Sequence, residues 1–310
     1  MGATLPPVTS GPESSTQRAV GGDEGASAPA GGRAGLRPEL AEGCREVRMT
    51  RVGPREAGES SDQVAHEEPL AIQVHGASLA VLMRTPGHDA ELVTGFLLTE
   101  GIVAGMDEVD SVRHGDQAPH PERADNLVRV RLRPARRLDL EALRRNLFAT
   151  SSCGMCGKAS LEQALASAPP LDDPTRVQAT WLPALPHHLR RAQPLFDATG
   201  GLHAAALFEA GGRLCVVRED VGRHNAVDKV VGWAAREGRL PLADHLLLVS
   251  GRISYEIVQK ALAARCPLVA AVSAPSSLAV ALAEASGIGL VGFLREGSFN
   301  VYGARERVVQ

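Results

Sequence analysis

The second half of the chain alternates short apolar runs with segments whose apolar residues recur at helical spacing. The apolar runs predict strands at 204–209, 214–218, 245–250, 268–272 and 289–294. The periodic segments predict helices at 225–237, 255–265 and 276–286. Because strands that alternate with helices form βαβ units, this half predicts an α/β fold, with a layered sheet that carries helices on both faces.

The first half has a different pattern. Two strands are predicted at 70–74 and 79–84 around His75-Gly76, followed by a helix at 88–102 and a polar loop that runs to about Asn126. A strand at 127–133 and a helix at 138–147 come next. The pattern then continues with a loop at 149–157, a helix at 158–166 and a helical segment at 182–192.

These patterns predict three regions. Residues 1–60 are rich in Gly, Ala, Pro and Glu and have few large apolar side chains, so we expect a disordered extension. Residues 61–168 form a smaller N-terminal α+β subdomain that ends in a cysteine loop. Residues 169–310 form the α/β part, which we expect to bind a cofactor.

The composition of the chain argues against several classes of function. The net charge of −3 and the 3% aromatic content argue against a general nucleic-acid binder or a binder of anionic membranes. No apolar run reaches the length of a membrane span, and the N-terminus lacks the apolar core of a signal peptide. The five cysteines are scattered rather than arranged as a disulfide framework, so we expect a protein of the reducing cytoplasm.

Cys153 and Cys156 form a Cys-x-x-Cys pair that has several interpretations. A structural zinc site needs four ligands, and the chain has no second pair, so we expect no zinc. A thioredoxin-like dithiol would come directly after a strand, whereas a helix is predicted before the cysteine loop. A persulfide carrier needs a reactive thiolate in a mobile loop. Neighbouring Ser and Gly residues, and the positive end of a helix beginning near Lys158, fit that requirement. A buried, inert pair would have apolar neighbours instead.

Three polar turns follow predicted strands and open helices, at 219–229, 250–256 and 273–277. Ligands of open α/β sheets bind beyond the carboxyl ends of strands, where helix N-termini attract anions. Arg223 and Arg252 would add phosphate contacts, so we expect a phosphate-bearing ligand there. His224, Asn225 and Ser254 belong to the same turns. The alternative for each turn is ordinary helix capping by Asn225, Ser254 or Ser276.

His203 precedes an apolar strand within the segment 199–205. Its surroundings faintly resemble the His-x-Glu of zinc deaminases, but Ala205 stands where the Glu would be, which argues against deaminase chemistry. Several segments together resemble the formate dehydrogenase accessory sulfurtransferase (FdhD) family: 150–157, 199–205, 219–229, 250–256 and 291–298, with 68–70 and 84–102. The resemblance extends from about residue 67 to residue 307.

This resemblance implies a cytidine-deaminase-like α/β fold and a homodimer. It implies a sulfurtransferase, with Cys153 as the persulfide cysteine and Cys156 as its partner. A cysteine desulfurase would supply the sulfur. The cargo would be the bis(molybdopterin guanine dinucleotide) molybdenum cofactor, before its insertion into formate dehydrogenase, whose activity requires the transfer. The implied cofactor-binding segment comprises Phe293, Leu294, Arg295, Glu296, Gly297 and Ser298. The alternatives are a non-catalytic chaperone for the molybdenum cofactor and a dithiol oxidoreductase.

Overall fold

The computed structural model describes residues 42–53, 57–115, 125–133, 164–165 and 168–310. The first element is an antiparallel hairpin of β1 (Cys44–Arg51) and β2 (Gly58–Ala65). Most of its side chains are exposed, and its base packs on Leu195 and Leu202. The prediction that residues 1–60 are disordered is therefore wrong for the described part of that range. The apolar contacts that anchor the hairpin come from residues far along the chain, which local composition does not reveal.

A four-stranded sheet follows, in the order β4-β3-β6-β5. Its strands are β3 (Glu68–Val74), β4 (Ala77–Arg84), β5 (Val109–His114) and β6 (Leu127–Leu132). Helix α1 (Asp89–Thr99) packs on one face of the sheet, where Leu70, Ile72 and Val74 alternate inward. A 3-10 turn, Met106–Glu108, precedes β5. The sequence predicts a polar loop where strand β5 lies. The strand is not predicted because its mixed residues carry no clear period-two pattern.

The second half begins with β7 (Val177–Gln178), a 3-10 helix (Ala179–Ala184), α2 (Leu185–Arg191) and α3 (Pro194–Thr199). A six-stranded sheet then forms in the order β13-β12-β11-β10-β8-β9. Its strands are β8 (His203–Glu209), β9 (Leu214–Asp220), β10 (His245–Val249), β11 (Leu268–Ala271), β12 (Gly289–Arg295) and β13 (Ser298–Gly303). The last strand, β14 (Val308–Val309), follows a 3-10 turn (Arg305–Arg307) and pairs with β7.

Helices cover the six-stranded sheet on both faces, as the sequence predicts. Helices α4 (Arg223–Arg236), α5 (Tyr255–Ala263) and α6 (Ser277–Ser286) pack on one face. Leu182, Leu185 and Leu189, from the 3-10 helix and α2, pack on the other face. The strands β10 and β11 are consequently buried on both faces, which explains their continuous apolar runs.

The two halves meet where α1 crosses α4 at very short distance. A Cβ atom placed on Gly95 would lie 1.8 Å from the main-chain oxygen of Asp228, and one placed on Gly232 would lie 1.8 Å from that of Glu91. Only glycine allows this approach. Arg218 also forms a bidentate ion pair with Glu91, at 2.6 and 2.8 Å.

Buried charges reinforce the same junction. Lys260 of α5 lies 3.0 Å from Asp228 of α4 and 2.8 Å from Glu100 at the end of α1. Thr99 donates a hydrogen bond to Asp228 (2.7 Å) and accepts one from Lys260 (2.9 Å). Because each buried charge has a charged partner and hydrogen bonds, the junction avoids the desolvation cost of an unpaired ion.

Candidate functional site

The sheet edge predicted to bind a ligand exists. Strands β10, β11 and β12 are parallel, so their carboxyl ends lie at one edge. Strand β9 ends at the same edge, because Asp220 pairs with His203, the first residue of the antiparallel β8. The turns after β9, β10, β11 and β12 therefore share this edge, as open α/β sheets require of a ligand site.

A cavity of about 810 Å³ opens at this edge. One wall belongs to the strands and includes His203, Ser250, Val272 and the end of β12. The other wall comes from α2, α3 and the turn that follows them. Together the walls include Pro186, Leu189, Arg190, Gln193, Phe196, Gly200, Gly201, Leu202, Leu294, Arg295 and Glu296.

The charged side chains that line the cavity are Arg190, Arg295 and Glu296. Arg190 lies over the ring of Phe196, with its guanidinium 4.8 Å from the ring centroid, and pairs with Asp197. Arg295 donates hydrogen bonds to the main-chain oxygens of Val272 and Leu294. Burial, aided by the nearby Arg223, lowers the pKa of His203, so its imidazole is neutral at pH 7.

The segment 293–298 contains the end of β12 and the turn into β13. Phe293 is 44% exposed and has a φ of 54°, and its main-chain N–H donates to Ser273. This left-handed conformation shifts the register between β12 and β13. Gly297, with φ 85°, makes the turn into β13, which begins at Ser298.

The turn after β9 is built around the buried carboxylate of Asp220. It accepts hydrogen bonds from the main-chain N–H groups of Gly222 (2.8 Å) and Thr85 (3.2 Å) and from the side chain of Asn225 (2.9 Å). Lys229 lies 2.7 Å from it and is also buried. This turn is thus fixed to the N-terminal half of the chain, and Asn225 and Lys229 have structural partners.

Glu219, the residue before Asp220, also uses its carboxylate to bind main-chain groups of the protein. Its carboxylate accepts the main-chain N–H groups of Leu195 (3.0 Å) and Phe196 (2.8 Å) at the start of α3. Burial raises the pKa of Glu219. Glu219 therefore positions the helix that forms the second wall of the cavity.

The turns after β10 and β11 are joined by main-chain hydrogen bonds. Ile253 donates to Ala274 (3.1 Å) and accepts from Ser276 (2.9 Å). The Ser276 hydroxyl caps α6 by accepting from Ala279 at 3.2 Å, so the capping alternative holds for this residue. Ser254 stands at the N-cap position of α5, and Arg252 beside it is exposed.

His224 and Glu256 face each other next to these turns. Their Nε2 and Oε2 atoms are 3.9 Å apart. Burial, with Arg223 and Lys260 nearby, lowers the pKa of His224 to about 4, so the side chain is neutral at pH 7. Arg223 itself is exposed at the first position of α4.

The predicted binding residues fall into two groups at the same edge. Leu294, Arg295 and Glu296 line the cavity. The other predicted residues lie outside its lining: Arg223, His224, Asn225, Arg252, Ser254, Phe293, Gly297 and Ser298. Cys153 and Cys156, predicted to carry sulfur, lie outside the described residues. The sequence predicts a helical segment at 182–192, where α2 lies, but it does not predict that α2 and α3 form a cavity wall. The cluster of Arg190 and Arg191 beside Pro194 is a sequence signal for this wall.

Within the described ranges, no helix is long and apolar enough to cross a membrane. In the same ranges, no group of three or more His, Cys, Asp or Glu side chains has an arrangement suited to a metal ion.

Residues 65–309 match the model of the FdhD/NarQ family. A protein of Mycolicibacterium paratuberculosis named sulfur carrier protein FdhD is 51% identical over 84% of this chain and 97% of its own length. One of Streptomyces avermitilis with the same name is also 51% identical, over 80% of this chain and 89% of its own length. A crystal structure from Desulfotalea psychrophila, described as a formate dehydrogenase accessory protein, superimposes with a TM-score of 0.67 and 26% identity, over 86% of this chain and 99% of that one.

Proposed function

The chain belongs to the FdhD/NarQ family, and from this premise we propose that it is a sulfurtransferase that carries persulfide sulfur from a cysteine desulfurase to the molybdenum cofactor of formate dehydrogenase. The observation that carries the proposal is the 51% identity, over 84% of the chain, to a protein named as a sulfur carrier. The site of action is the cytoplasm, and the acting form is a homodimer; the family resemblance supports both.

The chemistry requires a thiolate at Cys153. That thiolate attacks the outer sulfur of the desulfurase persulfide, a new S–S bond forms, and the desulfurase cysteine leaves as its thiolate. The product is a persulfide on Cys153, with no net oxidation. Cys156 is the partner thiol of Cys153 in the pair.

The cavity suits one end of the cargo. At about 810 Å³ it lies within the range of about 300–1,000 Å³ that holds a single drug-sized ligand. The bis(molybdopterin guanine dinucleotide) cofactor is larger, so the cavity takes one nucleotide portion. Arg190 and Arg295 supply positive charge for its phosphates, and Leu294 and Phe196 supply apolar surface.

Mass spectrometry of the purified protein after incubation with a cysteine desulfurase and cysteine tests the proposal. We expect a mass increase of one sulfur atom, which reducing agent removes and which Cys153→Ala abolishes. Cys215→Ala is the matched control, since Cys215 is a half-buried cysteine of β9. No added sulfur in the wild-type protein would contradict the proposal.

The same samples separate the two alternatives. A non-catalytic chaperone would bind a guanine nucleotide without gaining sulfur. A dithiol oxidoreductase would form a reversible bond between Cys153 and Cys156, which lowers the mass by two hydrogen atoms. Restoration of formate dehydrogenase activity by wild-type protein, and its loss with Cys153→Ala, would favour the carrier.

A further inference from the structure

The residues that line the cavity differ in exposure, and this difference divides the cavity into two parts. The charged residues Arg190, Arg295 and Glu296 are exposed and form the outer part. The other part is lined by buried or half-buried residues that carry no charge at pH 7. We define this inner part as Leu189, Gln193, Leu202, His203, Ser250 and Leu294. A ligand in the cavity therefore meets charges on the outside and neutral groups inside.

Gln193 is the most deeply buried polar residue of the inner part. It is only 4% exposed. Its side-chain amide nevertheless has no hydrogen-bond partner among the residues that the structure describes. Buried amides are almost always hydrogen-bonded, because a buried polar group without a partner destabilises the fold. Since Gln193 lines the cavity, the missing partner of its amide is a group that enters the cavity.

Helix capping does not account for Gln193. The residue stands at the N-cap position of α3, but its side chain makes no capping hydrogen bond. The carboxylate of Glu219 accepts the N–H groups of Leu195 and Phe196 instead, at 3.0 and 2.8 Å. The main-chain oxygen of Gln193 accepts a hydrogen bond from Asp197 at 3.0 Å. The fold therefore fixes the main chain of Gln193 and leaves its amide available.

Two further polar groups of the inner part have unused hydrogen-bonding capacity. The Ser250 hydroxyl accepts from the main-chain N–H of Ala204 at 2.9 Å, and its own O–H has no acceptor within the described ranges. The neutral imidazole of His203 makes no hydrogen bond to any described residue. It offers one donor and one acceptor, and the Gln193 amide offers both kinds as well. The inner part can thus bind a group that has donors and acceptors side by side.

The composition of the inner part suits a flat, neutral heterocycle. A charged group would be costly there, because no buried residue of the described lining carries a compensating charge. Leu189, Leu202 and Leu294 are buried and provide apolar contacts for the faces of a ring. An amide presents a donor next to an acceptor, so it pairs with a ring edge of the opposite order, such as O6 and N1–H of guanine.

We propose that a guanine nucleotide enters the cavity base first, and that Gln193 binds the edge of the base while Arg190 and Arg295 hold the phosphates. The inference rests on the proposed function, in which a guanine nucleotide is part of the cargo. It adds the orientation of the nucleotide, and it makes Gln193 the residue that determines affinity for the base.

Calorimetric titration of the full-length protein tests the contributions of base and phosphates separately. The ligands are GDP, inorganic pyrophosphate, which lacks the base, and purine riboside 5′-diphosphate, whose base lacks the O6 and N2 groups of guanine. Gln193→Leu removes the amide and keeps a similar volume. Gln178→Leu is the matched control, since Gln178 is exposed on β7 and lies outside the cavity lining.

We expect Gln193→Leu to bind GDP about ten- to a hundredfold more weakly than wild type, because the base loses its hydrogen bonds to a buried partner. Pyrophosphate should bind wild type and variant equally. Wild type should bind the purine riboside analogue about as weakly as Gln193→Leu binds GDP. Gln178→Leu should match wild type for all three ligands. If Gln193→Leu does not fold, Gln193→Met replaces it with the same expectations.

Several outcomes would overturn the inference. Equal GDP affinity in wild type and Gln193→Leu, or no GDP binding by wild type, would remove Gln193 from base recognition. An equal loss of affinity for GDP and pyrophosphate would show that the variant damages the phosphate site. Tighter binding of free pterin than of guanosine would assign the inner part to the pterin ring of the cargo. Sulfur uptake by wild type is measured without nucleotide, so failure of the proposed sulfur transfer is distinguishable from failure of this inference.

Discussion

Replacement of Lys229 by Met tests whether the buried pair of Asp220 and Lys229 holds the two halves of the chain together. The Lys229 ammonium lies 2.7 Å from Asp220 and donates to the main-chain oxygens of Thr85 (2.9 Å) and Glu219 (3.2 Å). Lys229 is 1% exposed and Asp220 is fully buried. Met fills a similar volume, so the change removes the charge rather than the packing.

The expected loss of stability arises because Asp220 keeps its buried charge without its partner. Removal of one partner of a buried ion pair leaves an uncompensated charge and costs about 3–5 kcal/mol. Two further main-chain oxygens lose their donor. For a domain of this size, a loss of about 1 kcal/mol lowers the melting temperature by about 2–4 °C. We therefore expect Lys229→Met to melt about 6–20 °C below wild type.

Urea unfolding followed by circular dichroism measures the free energy of unfolding directly. Arg236→Met, at an exposed position of the same helix, is the control and should change it by less than about 0.5 kcal/mol. Asp220→Asn combined with Lys229→Met removes both charges, so its loss should be smaller than the sum of the two single losses. A loss below about 1 kcal/mol for Lys229→Met would refute the reasoning.

Three further predictions concern packing, pH and ligand binding. Gly232→Ala should destabilise the protein by about 1–3 kcal/mol or more in urea unfolding, since its Cβ would lie 1.8 Å from the main-chain oxygen of Glu91; an unchanged midpoint would contradict the close helix contact. In the folded protein the pKa of His224 is about 4, below its ordinary value of 6.5. As pH falls, the His224 imidazole therefore takes up a proton in the unfolded chain before it does so in the folded protein. Wild-type stability should therefore decrease between pH 6.5 and pH 4, and His224→Gln should flatten that decrease; identical pH profiles would exclude His224 as its source. Calorimetric titration of GDP should show a weakening of about ten- to a hundredfold for Arg295→Ala, which removes a charge from the cavity, and a smaller one for Arg252→Ala, whose side chain is outside its lining; the reverse order would place the phosphates at the turn after β10.

The sequence by itself determined the elements whose signals are local. The continuous apolar runs of β10 and β11 predicted strands buried on both faces, and the alternation of strands with helices predicted the sheet edge where the cavity lies. The turn at His75-Gly76 was also predictable, because Gly76 adopts a φ of 84° that few other residues tolerate. Ser276 was a predictable helix cap.

Only the tertiary structure decided the features that depend on distant partners. Asn225 belongs to a turn that the sequence predicts to bind a ligand, and its side chain donates to the main-chain oxygen of Met83, more than a hundred positions away. Asp220 in the same turn accepts a hydrogen bond from the equally distant main chain of Thr85. The hairpin of β1 and β2 is absent from the sequence pattern because its anchor, Leu195, belongs to the other half of the chain. The physical reason is the same in each case: a local pattern records which side chains must leave water, whereas the partner that each one meets is fixed only when the elements pack.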